Sequence, residues 1–258
     1  MELLAADIVA RFYTFLWPML RISALMVTAP VFALRAFNLR MRILVALVLA
    51  GLVYPLHTWP VIDPVSAAGL REIINQLAIG AMAGLILQIV IAALVVAGQV
   101  IATSMGLSMA NLLDPNMGNV PVISQFMIVL ASLIFVGAGG HAVLLGLILE
   151  SFNTLPIGTS IFSPESLGLL MRWSSMMFLG AVLLSLPVMV AMLFINIGVG
   201  VITRAAPSLN VFSVGFPASV AVGFVLLLVF LGGMISRTDW LWVQGFGVVR
   251  DLLGVTRG

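Results

Sequence analysis

The sequence predicts an all-α fold, a polytopic helical membrane protein of about six long, partly broken helices. Composition, hydropathy and the spacing of charges all point there. Only 8% of the 258 residues are charged, against roughly 25% in a soluble domain, so the surface must meet lipid or other protein. Mean hydropathy is +1.26. Ile73–Leu113 and Pro115–Leu149 contain no Asp, Glu, Lys or Arg, and each exceeds the ~20 residues that span a bilayer. A β-barrel would show short alternating strands instead.

Composition also excludes several function classes. The chain has no cysteine, so disulfides and thiolate metal sites are out. Eleven arginines and no lysine face nine acids, an excess too small and scattered for nucleic-acid binding. The start, MELLAADIVARF, has acids where a signal peptide needs a basic region, so cleavage is not expected. There is no Walker A, HExxH or GxSxG motif, and neither catalysis nor a cofactor is expected.

Breakers order the helices. The first is expected over Asp7–Ala29, closed by Pro30 and kinked at Pro18. The second covers Leu39–Tyr54, before the proline-rich HTWPVIDPVSAAG. The third runs Gly69–Asn111 and is stopped by Asp114-Pro115, because proline removes a donor and restricts its predecessor. Pro121 opens the fourth, which reaches Phe152. The linker TLPIGTSIFSPES offers Ser163 or Ser166 as an N-cap. The fifth runs Leu167–Thr203 with Pro187 inside, and the sixth Pro217–Ile235, followed by a short amphipathic tail. The third and fifth approach 40 residues, more than tilt absorbs. Arg35, Arg40 and Arg42 mark the first loop as cytoplasmic, yet Arg237, Arg250 and Arg257 in the tail pull the other way.

Candidate sites follow from small and soft residues. Gly98, Ala102, Gly106 and Ala110 recur every four residues, a ridge that lets another backbone approach closely in lipid. Gly80 and Gly84 make an earlier GxxxG, and Gly215, Ser219 and Gly223 a later ridge. Met105 and Met109 lie on an adjacent stripe, with Met117 beyond; unbranched, polarizable methionine suits a changing surface. Asn116, Gly118 and Asn119 supply turn chemistry. Two readings stay open here, a turn beside a packing face or a nearly uncharged loop that closes a conduit. A second break, RAAPSLNVFSVGFP, holds Pro207, Asn210, Phe212, Gly215 and Pro217 at a hairpin corner. His141 and Glu150 are nine residues apart, on opposite faces of a helix, so they form no dyad; His141 is expected in an interhelical hydrogen bond and Glu150 as an interfacial anchor. The Arg35, Arg40, Arg42 cluster reads as a topology signal or lipid contact.

MGLSMANLLDP, PVISQF, GGH, SFNTLP and RAAPSLNVFSVGFP, in that order after WPMLRISALMVTAPVF, resemble the FliR family of flagellar type III export-gate proteins. The resemblance covers essentially the whole chain. The injectisome relatives, the SctT family, share the Asn-Val-Phe corner. The resemblance implies a non-enzymatic subunit of the bacterial inner membrane and flagellar basal body, built with FliP and FliQ into a helical hetero-oligomeric pore. FlhB and FlhA would lie on its cytoplasmic side, and unfolded flagellar subunits would pass through. It further implies a FliP-like part over residues 1–160 and a FliQ-like helical hairpin and tail over 161–258. The loop 105–120 would plug the closed pore, with Met105, Met109 and Met117 sealing and Gly106, Asp114, Pro115 and Gly118 allowing movement. Rival readings are an injectisome subunit, a scaffold without a conduit, and a small-molecule secondary transporter; the last needs ionisable residues at the bilayer midplane, where His141 alone is a thin supply.

Overall fold

The computed structural model describes residues 2–30 (side chains from Asp7), 38–107, 122–205 and 215–255. Among these the fold is all-α. Its helices are α1 (Glu2–Thr28), α2 (Leu39–Val53, continued by a 3-10 turn Tyr54–Leu56), α3 (Ala67–Ser104) and α4 (Val122–Gly137). They continue with α5 (Gly140–Thr154), α6 (Pro164–Ser174), α7 (Met176–Ala205) and α8 (Phe216–Leu252). The segments Leu39–Leu56, Ala67–Ser104, Pro164–Ala205 and Phe216–Leu252 are long and apolar enough to cross a membrane, and the bent pair α4–α5 makes a further candidate.

Local chemistry explains the ends. Before α3, the Ser66 hydroxyl accepts the Gly69 N–H at 3.0 Å, and Asp63 Oδ1 accepts the Val65 N–H at 3.0 Å, an Asx turn feeding an N-cap. Of the two serines expected before α6, Ser163 is the cap: its Oγ accepts the Ser166 N–H at 3.1 Å, and Pro164 fills the first helical position. Gly254, at φ +65°, ends α8, and the Val255 N–H reaches back to Arg250 O at 3.0 Å, a Schellman-type closure.

Four expected boundaries are corrected. The third segment ends at Ser104 rather than Asn111, because Gly106 turns left-handed at φ +79°; the helix is over before Asp114-Pro115. The small-residue ridge within the helix therefore stops at Ala102. The fourth segment is two helices, broken between Gly137 and Gly140, with Gly139 at φ +70°. The fifth divides at Ser175, whose carbonyl accepts from Phe178 and Leu179 at 3.1 and 3.2 Å. The sixth does not give way to a separate tail but continues to Leu252, carrying buried Thr238 and Trp242 on its inner face.

The chain divides into two compact units, Met1–Ile89 with Ala138–Ser174 and Val243–Gly258, and Val90–Gly137 with Ser175–Trp242. In the first, α1 and α3 run parallel and very close. A Cβ on Gly80 would meet the Arg21 carbonyl oxygen and, at 2.9 Å, the Leu25 nitrogen; one on Gly84 would meet the Thr28 hydroxyl and, at 2.8 Å, the Ala29 nitrogen. Trp17, Ile22 and Leu25 of α1 and Ile79 and Ile86 of α3 are all buried. The Trp173 indole donates to Ile86 O at 2.8 Å, which fixes α6 on α3. Trp59 stacks on Tyr54 (centroids 6.4 Å) and meets the Phe152 edge at 5.3 Å.

In the second unit α7 and α8 are antiparallel: Gly180 abuts Leu241, Leu183 meets Arg237, and Asn196 meets Ser219. The Leu183–Arg237 contact has a local cause. Pro187 has no N–H for the carbonyl four residues earlier, and the Arg237 guanidinium donates to that orphan Leu183 oxygen instead. Pro187→Ala restores the helical donor. Arg237→Leu is therefore expected to lower the melting temperature clearly in the native sequence and much less beside Pro187→Ala, a coupling read from a double-mutant cycle. Elsewhere in this unit the Trp242 indole donates to Ala131 O at 3.2 Å, and its ring meets Phe135 edge-on at 4.8 Å.

Candidate functional site

The described structure holds both roots of the expected 105–120 loop, within the second unit. The incoming root is the last turn of α3. Thr103 and Ser104 hydroxyls donate back to Gln99 O and Val100 O at 2.8 Å each, so neither is left unpaired in an apolar setting. A helix leaves its last carbonyls without intrahelical partners. Here the Asn196 amide of α7 donates to Ser104 O at 3.0 Å, and its oxygen accepts the Ser219 hydroxyl of α8 at 3.2 Å. One side chain thereby ties the end of α3 to two other helices.

Met105 follows and is fully buried. Its side chain lies over Gly223 of α8, where an added Cβ would come within 2.5 Å of Cγ. Gly106 then turns the chain beside the Phe216 ring. The outgoing root is α4, held to α3 by contact at Gly98: a Cβ there would lie 2.5 Å from Ser124 Cα. The Ser124 hydroxyl donates to Val95 O at 2.9 Å. Gly223→Ala is expected to displace Met105 and lower the melting temperature, and Met105→Ala is expected to recover most of that loss by clearing the space.

The family model for bacterial export proteins, family 1, matches residues 12–244. Flagellar biosynthetic protein FliR of Pectobacterium carotovorum is 36% identical over 251 residues, 96% of this chain and 95% of that protein. FliR of Escherichia coli is 31% identical over 240 residues, covering 93% and 92%; that of Bacillus subtilis is 32% identical over 227 residues, covering 86% and 88%. The chain belongs to the FliR family.

Of the loop residues expected in this FliR-family chain, Met105 and Gly106 are placed as above; Met109, Asp114, Pro115, Met117 and Gly118, with the ridge residue Ala110, lie outside the described residues. At the hairpin corner Gly215 and Pro217 are described at the start of α8, whereas Pro207, Asn210 and Phe212 are not. Ala102 is buried next to the Met105 turn.

This FliR-family chain also holds a polar centre that sequence reasoning passed over. Within the first unit Arg21 is wholly buried. Its Nε donates to Gln76 Oε1 at 2.7 Å, Nη1 to both the carbonyl and hydroxyl of Ser151 at 2.9 Å, and Nη2 to Leu155 O at 2.7 Å. The guanidinium carbon lies 4.3 Å from the Phe152 ring centre. Gln76 passes the contact on, donating to the Glu72 carboxylate at 2.5 Å, and that carboxylate also accepts the Gly158 N–H at 3.0 Å. Asn75 holds the next residues, donating to Thr159 O at 2.6 Å and accepting from Ile161 N–H at 2.9 Å. One buried cation and one buried anion thus close the loop after α5 onto α1 and α3. The signal for it was present: Arg21 is the lone charge between Arg11 and Arg35, and an ionisable group in such a stretch must have a partner. His141 is exposed and makes no hydrogen bond with the described residues; Glu150 is exposed as well.

Proposed function

We propose that this chain is a non-enzymatic core subunit of the flagellar type III protein export gate. In this reading it assembles with FliP and FliQ in the bacterial inner membrane at the flagellar basal body. The assembly passes unfolded flagellar subunits, with FlhB and FlhA on its cytoplasmic side. Residues 1–160 act as the FliP-like part, and 161–258 as the FliQ-like hairpin and tail. The observation that carries the reading is the match of nearly the whole chain to FliR proteins. The antiparallel α7–α8 pair supports the hairpin assignment.

The loop between the two roots is the movable seal. A seal must exclude ions yet yield to many polypeptides. Fixed cations or anions would hold water and favour some substrates, whereas Met, Ser, Gly and Asn give weak, adaptable contacts, and hydrophobic constrictions gate by dewetting. Met105, Met109 and Met117 form the seal in this reading, with Met105 held at its root against Gly223. Gly106, Gly118 and Asp114-Pro115 give the segment its freedom, and the Asn196 tie keeps the end of α3 still while it moves.

Deleting Leu107–Gly118 is expected to make resting cells leak ions and small solutes while the complex with FliP and FliQ still forms. Ion flux across the membrane and copurification measure the two halves. An intact barrier with normal export would refute the seal, and a chain that copurifies with neither protein would refute the subunit role.

A further inference from the structure

A cavity of about 310 Å³ opens between the start of α3 and the loop that Glu72 and Asn75 hold in place. Its volume is at the small end of ligand pockets, about 300–1,000 Å³. Its polar groups are of two kinds. Glu72 and Asn75 are already engaged with Gln76, Gly158, Thr159 and Ile161, and the Glu72 charge is balanced by Arg21 through Gln76. Arg71 is exposed and has no hydrogen-bond or ion-pair partner among the described residues. It therefore leaves one unspent positive charge at the cavity. Beside it, the Ser160 hydroxyl accepts from the Phe162 N–H at 3.3 Å and retains its own proton to donate.

The cavity is continuous with an apolar surface. Leu70, Ile74 and Leu77 share one face of α3 and are 55%, 59% and 39% exposed; Phe162 across the cavity is 52% exposed. A lone cation beside an apolar stripe, about one turn into a helix long enough to cross a membrane, matches an amphiphile with an anionic head.

We propose that this cavity seats a phospholipid, with the Arg71 guanidinium on the phosphodiester, Ser160 donating to it, and an acyl chain along Leu70, Ile74 and Leu77. The planar, two-pronged donor edge of arginine suits phosphate oxygens. A free anion would leave the apolar stripe unused. An acidic peptide would set its backbone amides against Ile74 and Phe162 without partners. The proposal rests on the membrane-helix fold and not on the export-gate reading, so either can fail alone.

The test is native mass spectrometry of the full chain, in its detergent-purified membrane complex, titrated with dioctanoyl phosphatidylglycerol, dioctanoylglycerol and inorganic phosphate. The phospholipid is expected to bind saturably and at least tenfold more tightly than either other probe. Arg71→Gln is expected to weaken it at least tenfold, Arg71→Lys less, and Ile74→Ser severalfold with Arg71 intact. Unchanged binding by Arg71→Gln and Ile74→Ser overturns the proposal. So does phosphate binding as tightly as the lipid, which reduces the cavity to an anion site. Loss of a partner subunit from the Arg71→Gln complex at unchanged lipid affinity also overturns it, since Arg71 then serves a protein contact.

Discussion

Arg21→Met in the full chain is expected to cost about 3–5 kcal/mol of stability, the range for removing one partner of a buried charge pair. The guanidinium donates in three directions, to Gln76, to Ser151 and to Leu155, and methionine fills the volume while donating to none. It also leaves the Glu72 carboxylate, 5% exposed, without its compensating charge. Lysine keeps the charge but, as a point donor on one flexible stem, cannot reach all three acceptors. The decisive comparison is Arg21→Met with Glu72→Gln. If the charge balance matters, the double variant melts higher than Arg21→Met alone, because no uncompensated ion remains. Should the two losses simply add, the two ends of the network are independent and the account is wrong. Thermal melting in detergent, followed by tryptophan fluorescence, reads this well because Trp59 sits on Phe152, the ring beneath the guanidinium.

Gly98→Val is expected to be comparably damaging, for steric rather than electrostatic reasons. A Cβ there would come within 2.5 Å of Ser124 Cα and 2.7 Å of its nitrogen. These are backbone atoms and cannot rotate away, so α4 has to move off α3, and overpacking of this kind costs about 1–3 kcal/mol or more. The displacement also breaks the Ser124 to Val95 hydrogen bond. Because α4 is the outgoing root of the proposed seal, valine here is expected to loosen the membrane barrier as well as the fold. Gly233→Ala is the control. It lies on α8 with nothing within 4 Å of the new methyl, and alanine favours a helix over glycine by about 1 kcal/mol. Its melting temperature is expected to hold or rise; equal damage from both variants would mean that close approach is not the reason for Gly98.

The membrane class, the helical character and most helix starts were legible because they depend on local chemistry: few charges, long apolar runs, Pro164 and the serine before it. Helix interruptions were less so. Gly139 stands in a Gly-Gly pair that marks a turn, but Gly106, which adopts positive φ, is flanked by ordinary helix formers much as Gly146 is, which remains inside a helix. Tertiary contacts select among them. The same limit applies to the loop roots. Met105 and Gly223 could each be singled out from spacing, but not that one rests on the other. Asn196 is a polar residue in the apolar run LFINIGV, and its role requires knowing where α3 ends. Arg21 could be marked as needing partners, yet those partners lie 55 to 134 positions away.

That separation sets a clock on biogenesis. Nη1 of Arg21 finds its acceptors at Ser151, 130 residues later in the chain. At about 5–20 residues per second of synthesis, the arginine waits roughly 7–26 seconds before the acceptors exist. Until then Gln76, 55 residues on, is the one hydrogen-bond partner of the guanidinium already made. A chain that stops before residue 151 therefore lacks the acceptors of both terminal nitrogens of Arg21.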